Sequence, residues 1–250
     1  RRCGRLAEGR FARVVEKGTA SGTVTVAQLA CDLGISESTV RRDLDKLDSL
    51  NKLTKVHGGA VCLEDAHVSY DLTLQQRSEL HADQKQLLAR YAASLVGPRD
   101  CVYVDSGSTT KVLVDCLTEK GALYVTNSAV HGLTLAQRGF TVVLLGGEIK
   151  GSTSAMVGPE ALEALERYNF TLGFWGANGI DLRAGCTSPE REESQVKRAS
   201  LARSARRLVL ADTSKFGRVA PVSFASLGQV EVLTTSMPEG YEDVASVRCV

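Results

Sequence analysis

The 250-residue chain has no paired-cysteine pattern, no membrane-length apolar run and no nucleotide-binding loop. Its cysteines stand apart, as Cys3, Cys31, Cys62, Cys101, Cys116, Cys186 and Cys249. The odd number and the absence of Cys-x-x-Cys spacing indicate neither a disulfide framework nor a zinc site. The expectation is reduced thiols packed as small hydrophobes, in a cytoplasmic protein. Apolar stretches such as Val142-Val-Leu-Leu145 fall far short of the roughly 20 residues that a membrane helix needs. Arg1-Arg-Cys-Gly-Arg5 is followed by no apolar run, so no signal peptide is expected. Gly-Lys-Ser/Thr is missing, and Lys150-Gly-Ser-Thr153 has the wrong order for a nucleotide P-loop. Gly-x-Gly-x-x-Gly is missing as well, which speaks against dinucleotide binding, and no internal repeat or low-complexity tract is present.

A large charge excess is also lacking, since the net charge is only +1. Its distribution says more. Residues 1–60 hold 11 Lys+Arg against 7 Asp+Glu, and the rest holds 19 against 22. A basic head on a slightly acidic body fits a nucleic-acid module joined to a unit with another task.

The segment Thr25-Val-Ala-Gln-Leu-Ala-Cys-Asp-Leu-Gly-Ile-Ser-Glu-Ser-Thr-Val-Arg-Arg-Asp-Leu-Asp-Lys-Leu47 reads as two short helices joined by a tight turn. Thr25 and Gln28 have capping-box spacing. Val26, Leu29, Ala30 and Leu33 form one apolar face. Gly34 supplies the residue that can take positive φ and end the first helix. Ile35 should plug the space between the helices, and Ser36 caps the second, whose inward stripe is Val40, Leu44 and Leu47. Glu37, Ser38, Thr39, Arg41 and Arg42 are thereby turned outward near a helix N-terminus, where a helix-turn-helix meets base edges in the major groove. Arg41 and Arg42 would anchor this helix, with Ser38 and Thr39 nearest to bases or phosphates. A helix over about Leu6–Glu16 would complete a three-helix core. Asn51-Lys-Leu-Thr-Lys-Val-His-Gly-Gly-Ala60 alternates apolar and polar residues and ends in a Gly-Gly turn, as a hairpin wing would. Lys52, Lys55 and His57 are then placed for phosphate contacts. The expected DNA-contacting set is completed by the two caps, Thr25 and Ser36.

Residues 1–62 are therefore expected to form a winged helix-turn-helix, 63–80 a polar linker, and 81–250 a mainly parallel α/β domain. In the last, an amphipathic helix over Gln86–Val96 precedes short buried strands at Cys101–Asp105, Leu123–Thr126 and Thr141–Leu145. Further strands are expected at Leu172–Gly176, Leu208–Ala211 and Val230–Thr234. Ligands in such sheets gather at the carboxyl ends of the strands. Three candidate sites fall there: Asp105-Ser-Gly-Ser-Thr-Thr110, Thr126-Asn127-Ser128 and Gly146-Gly147. Ser106, Gly107, Ser108, Thr109 and Thr110 run from a strand into a helix, a setting suited to a phosphate or other small anion. The alternative is a plain turn and helix cap. Lys215, just past a strand end, could add charge, and Asp105, Thr126 and Asn127 could meet sugar hydroxyls. Lys197 follows Glu193 by one helical turn, so it is either an exposed ion pair or a second charge for the site.

These segments resemble the DeoR family of bacterial sugar-metabolism repressors along nearly the whole chain. The resemblance rests on Ser36-Glu-Ser-Thr-Val-Arg-Arg-Asp-Leu44, Val56-His-Gly-Gly-Ala60, Asp105-Ser-Gly-Ser-Thr-Thr110, Thr126-Asn-Ser128 and Leu145-Gly-Gly147. Gly176-Ala-Asn-Gly-Ile-Asp181, Gly185-Cys-Thr187 and Asp212-Thr-Ser-Lys-Phe216 add to it, and Arg77 and Lys85 also fall at the family's spacing. Asn51 and Lys55 depart from it, standing where the family usually has Gly and often has Arg. The resemblance implies a sensor domain akin to ribose-5-phosphate isomerase, double-stranded operator DNA and a phosphorylated sugar as partners, and a homo-oligomer. The expected function is repression of a carbohydrate operon, relieved by the sugar phosphate, with no cofactor, metal or catalytic residue. An isomerase-like enzyme is one alternative, but Trp175 and Asn178 stand where the isomerases' acidic pair would be, and neither is a base near neutral pH. Asp181 remains as a hydroxyl acceptor. A metabolite-binding module without specific DNA recognition is the other alternative.

Overall fold

The computed structural model describes residues 10, 11, 13–15, 17, 23–49, 53–56, 58–62 and 80–250. Lys52, His57, Arg77 and residues 63–79 of the expected linker lie outside the described residues. The chain divides into two compact units, Arg1–Asp65 and Ala66–Val250.

In the first unit the described residues from 10 to 17 are helical, followed by β1 (Thr23–Thr25), α1 (Val26–Leu33), α2 (Glu37–Ser49), β2 (Leu53–Val56) and β3 (Gly59–Cys62). The helical spacing read from the sequence corresponds to the packing. Val26, Leu29, Val40, Leu44 and Leu47 are buried together with Val14, Leu53 and Ala60. The hairpin β2–β3 forms as expected, but β1 was not anticipated. It pairs antiparallel with β3 and makes the wing sheet three-stranded, in the order β1-β3-β2. A Cβ at Gly59 would overlap the Val24 carbonyl oxygen, so this pairing needs glycine there.

The second unit begins with α3 (Ala82–Ser94), β4 (Cys101–Val104), α4 (Ser108–Cys116), β5 (Leu123–Thr126), α5 (Ala129–Gln137) and β6 (Thr141–Leu144). It continues with β7 (Glu148–Ile149), β8 (Met156–Val157), α6 (Pro159–Leu165), β9 (Phe170–Gly176), β10 (Gly179–Asp181) and β11 (Gly185–Ser188). The chain then forms α7 (Arg191–Ala202), β12 (Ser204–Leu210), β13 (Val222–Ala225), β14 (Glu231–Thr234) and β15 (Val247–Cys249). Seven strands build one parallel sheet, ordered β15-β14-β12-β9-β4-β5-β6. Both faces are covered, because successive residues of a strand point to opposite sides. Tyr103, Val125, Trp175 and Val209 enter one core, while Val102, Val104, Tyr124, Phe174 and Leu208 enter the other. Two small antiparallel sheets, β10-β11-β13 and β7-β8, were not legible beforehand. The strand order reverses between β4 and β9, so the crevice at their carboxyl ends is the topological switch point where such sheets hold ligands. Among the described residues, no helix is long and apolar enough to cross a membrane.

Candidate functional site

The recognition surface is built by caps. Gln28 N–H donates to Thr25 Oγ1 at 3.2 Å and Thr25 N–H to Gln28 Oε1 at 3.2 Å, closing the capping box of α1. Gly34 ends that helix at φ 65°, its N–H turned to the Ala30 and Cys31 carbonyls. Ser36 Oγ accepts from Thr39 N–H at 3.3 Å and so starts α2. With both ends fixed, Ser36, Glu37, Ser38, Arg41 and Arg42 are exposed and Thr39 partly so. Arg41 pairs with Glu37 at 2.8 Å, with both side chains more than half exposed. A pair of that kind contributes only about 0.3–0.5 kcal/mol, so the guanidinium can exchange it for a base edge at small cost. Arg42 shares the open face, whereas the next residue, Asp43, is buried and bound by Arg10. Of the expected wing cations, Lys55 is described, and its ammonium is held by Asp45 on α2 while its N–H donates to Asp48 Oδ1 at 3.1 Å. Lys55 must leave Asp45 to reach a phosphate.

In the second unit, α4 starts at the carboxyl end of β4 with no side-chain cap. Its first amide groups therefore carry the partial positive charge that draws anions to helix N-termini. Ser106, Ser108 and Thr109 are all at least nine-tenths buried, and Ser106 Oγ has no hydrogen-bond partner among the described residues. Thr110 has a different place. Its hydroxyl donates to the Asp105 carbonyl at 2.6 Å and the Gly107 carbonyl at 3.1 Å, tying the loop shut from beneath. Gly107 has φ 166°, extended backbone open to any residue; a Cβ would press on Thr110 Oγ1 at 3.3 Å, which is tight but not excluded. Asn127 likewise works internally: its Oδ1 accepts from Ser106 N–H at 3.0 Å and its Nδ2 donates to the Met156 carbonyl at 3.4 Å. Thr126 Oγ1 accepts from Ser128 N–H at 3.1 Å. Thr126 and Asn127 thus tie the 105–110 loop and the β8 segment to the end of β5, while the Thr126 O–H and the second Asn127 Nδ2 hydrogen are not used in these bonds.

Gly147 has φ 115°, and a Cβ there would overlap the Val157 carbonyl oxygen, whereas Gly146 faces open space. Gly147 is needed for the close approach of β7 and β8. Asp181 Oδ1 accepts from the Arg183 and Ala184 N–H groups at 2.8 and 2.7 Å, closing the β10–β11 turn. Lys215 lies on a short 3-10 turn after β12, beside Asp212. Burial would push the Asp212 carboxyl up, but the Lys215 charge, the Ser214 hydrogen bond and the His81 and Lys85 charges outweigh it and hold that carboxyl below the ordinary range. Gln84 of α3 fixes the same turn, its Oε1 accepting from Thr213 N–H at 3.1 Å and Thr235 Oγ1 at 3.1 Å.

The sequence left Lys197 undecided between two settings, and the structure gives it a buried one. Its ammonium is bound to Asp105 Oδ2 and donates to the Gly176 carbonyl at 3.1 Å, with both side chains of the pair nearly inaccessible. Gly176 N–H in turn donates to Asp105 Oδ2 at 3.2 Å. This three-way contact joins β4, β9 and α7 across the switch point. Glu193 is also buried and accepts from Thr153 Oγ1 at 2.6 Å, so the one-turn pair with Lys197 does not form. Burial pushes the Asp105 carboxyl above the usual range, with the Lys197 charge opposing. Trp175 points into the core and donates to Ser200 Oγ at 3.0 Å, which takes that position out of the crevice. Among the described residues no cluster of His, Cys, Asp and Glu is arranged to hold a metal ion.

A winged helix-turn-helix followed in the chain by a doubly covered parallel α/β unit is the architecture of a DNA-binding transcriptional regulator. The chain belongs to the DeoR family: the DeoR C terminal sensor domain matches residues 80–237 and the DeoR-like helix-turn-helix domain matches residues 11–66. It is 33% identical over 250 residues to the uncharacterized HTH-type transcriptional regulator FruR of Bacillus subtilis (strain 168), covering 98% of this chain and 99% of that protein. With the Glycerol-3-phosphate regulon repressor of Escherichia coli (strain K12) it shares 26% identity over 227 residues, 90% of this chain and 89% of the other. Among solved structures, ribose 5 phosphate isomerase A from Neisseria gonorrhoeae superimposes with a TM-score of 0.40 at 18% identity, over 53% of this chain and 52% of that one.

Proposed function

We propose that this regulator represses a carbohydrate operon and leaves its operator when a phosphorylated sugar binds the second unit. The observation that carries the effector reading is the start of α4, which has no side-chain cap, with the buried Ser106 hydroxyl beside it that has no hydrogen-bond partner among the described residues, at a topological switch point. The amide groups of Ser108 and Thr109 take the phosphate, Lys215 supports its charge, and Asp105 receives a sugar hydroxyl. A sensor for a phosphorylated polyol is also in keeping with a relative named for a glycerol-3-phosphate regulon. On the DNA side, Arg41 and Arg42 enter the major groove with Ser38 and Thr39 beside them, and the wing follows the phosphates. Residues 1–62 form the DNA-binding domain, 63–80 the linker and 81–250 the sensor. A homo-oligomer binds a symmetric double-stranded operator, since half-sites are matched by two-fold protein symmetry. The effector must favour a conformation with poorer DNA geometry, because a ligand indifferent to the two states shifts nothing. Catalysis has no place in this reading, with Trp175 in the core and Asp181 engaged in its own turn.

Fluorescence anisotropy of a labelled duplex from upstream of this protein's own gene and neighbouring promoters, challenged with sugar phosphates, tests the proposal. Specific binding reversed by one compound supports it. A Ser108→Ala, Thr109→Ala double variant that still responds normally would remove the phosphate from the α4 loop. Turnover of a sugar phosphate without DNA would favour the enzyme reading.

A further inference from the structure

Asp105 carries one buried oxygen with a double load and one with none. Oδ2 holds the Lys197 ammonium and the Gly176 N–H, while Oδ1 has no hydrogen-bond partner among the described residues. An ionised carboxylate only accepts, so whatever completes Oδ1 must donate. Leaving a buried acceptor unmet is costly, which makes it a strong selector once a ligand supplies the donor. The sign of that donor follows from the surroundings. Lys197 already balances the Asp105 charge, and its Nζ is held further by the Gly176 carbonyl and lies 5.2 Å from the centre of the Phe224 ring. Glu193, the other carboxylate in the neighbourhood, is served by Thr153 and faces Lys150. A second cation therefore meets no uncompensated charge at Asp105, and a neutral hydroxyl is the matching group.

We infer that Asp105 is the specificity-determining residue of the effector site, accepting a hydroxyl of a phosphorylated polyol at Oδ1, and that Lys197 is its positioning residue. This rests on the phosphate reading of the α4 loop and adds what that reading lacks, a reason for the site to prefer a hydroxylated phosphate to phosphate itself. Lys197 and the Gly176 N–H both fix Oδ2, so the carboxylate is held in one orientation with Oδ1 as its remaining acceptor.

The test is calorimetric titration of the full-length protein with glycerol 3-phosphate, fructose 1-phosphate, ribose 5-phosphate, propyl phosphate and inorganic phosphate. The unaltered protein should bind at least one hydroxylated ester about tenfold or more tightly than propyl phosphate, the usual consequence of leaving a built hydrogen-bonding site unpaired. Asp105→Asn should bring that preference down to within about threefold, while inorganic phosphate binds as well or better beside an uncompensated Lys197 charge. Lys197→Met should lose the preference and Lys197→Arg should keep part of it, a rescue that loss of packing alone does not produce. Equal binding of the hydroxylated esters and propyl phosphate by the unaltered protein would overturn the inference and leave the phosphate loop standing; that comparison needs no variant to fold. Failure of every phosphate to bind, inorganic phosphate included, would remove the underlying reading instead.

Discussion

His131 lies close to the backbone of Asp105 and Gly107 and sets a pH limit on the second unit. It is in the first turn of α5, fully buried, with its N–H donating to Ser128 Oγ at 3.3 Å. Burial first, and the Lys111 charge second, push its imidazole from the ordinary 6.5 down to about 4. The Gly107 and Asp105 carbonyl groups lie close enough to favour the proton slightly, yet among the described residues neither ring nitrogen has a hydrogen-bond partner of normal geometry. The folded protein thus holds the proton less tightly than the unfolded chain does. The stability that depends on a neutral ring is complete above about pH 6.5 and drains as pH falls toward 4. In full it amounts to roughly 3 kcal/mol, and about 2 kcal/mol of it is already gone at pH 5. His131→Leu removes the titration while nearly conserving volume. Urea unfolding can be followed through Trp175, the chain's single tryptophan, which is buried in the same unit. Between pH 7.5 and 5 the unaltered protein should lose about 2 kcal/mol more than the variant, since groups common to both cancel in the difference. Equal losses would refute the assignment of a neutral, buried His131.

Arg41→Ala should weaken operator binding by about 1–3 kcal/mol in a titration, the range of a bidentate guanine contact, and leave folding stability within about 0.5 kcal/mol because only an exposed pair with Glu37 is lost. Unchanged operator affinity would take Arg41 out of the recognition surface. Thr25→Ala removes the acceptor for Gln28 N–H and should destabilise the DNA-binding unit by about 1 kcal/mol in thermal or denaturant unfolding; no change would mean that β1 pairing alone fixes the start of α1. Gly147→Ala forces a side chain into positive φ and against the Val157 carbonyl, so the sensor should lose about 1–3 kcal/mol by the Trp175 signal. An unaffected midpoint would show that the β7–β8 hairpin opens freely.

What could be read from the sequence was what neighbouring residues decide among themselves. Thr25 with Gln28, Gly34, and Ser36 with Thr39 act within one helical turn, so their types and spacing stated both helices and the outward face of α2 before any packing was known. The strand-to-helix junction at 105–110 was legible for the same reason, as a buried strand followed by small hydroxyl residues. The missed features depend on partners far away in the chain. β1 is three residues long, and its pairing with β3 leaves no mark on either segment except Gly59, where a side chain would strike Val24. The internal bonds of Asn127 were equally invisible, because their partners, the Ser106 N–H and the Met156 carbonyl, lie 21 and 29 residues away.

Lys197 shows the limit most directly. Its spacing from Glu193 is that of an ordinary exposed pair, and that spacing alone does not distinguish one outcome from the other. Asp105, which decides the matter, lies 92 residues earlier. The one usable signal was indirect: α7 carries Glu193 and Lys197 on the face shared with Val196, Ser200 and Leu201, and all five are buried. A charged pair on the inward stripe of a helix cannot be left to solvent. It must find separate partners in the interior, as Glu193 does with Thr153 and Lys197 with Asp105. Helical phase thus made the exposed reading of Lys197 the weaker one, and only the assembled sheet could say which carboxylate would meet it.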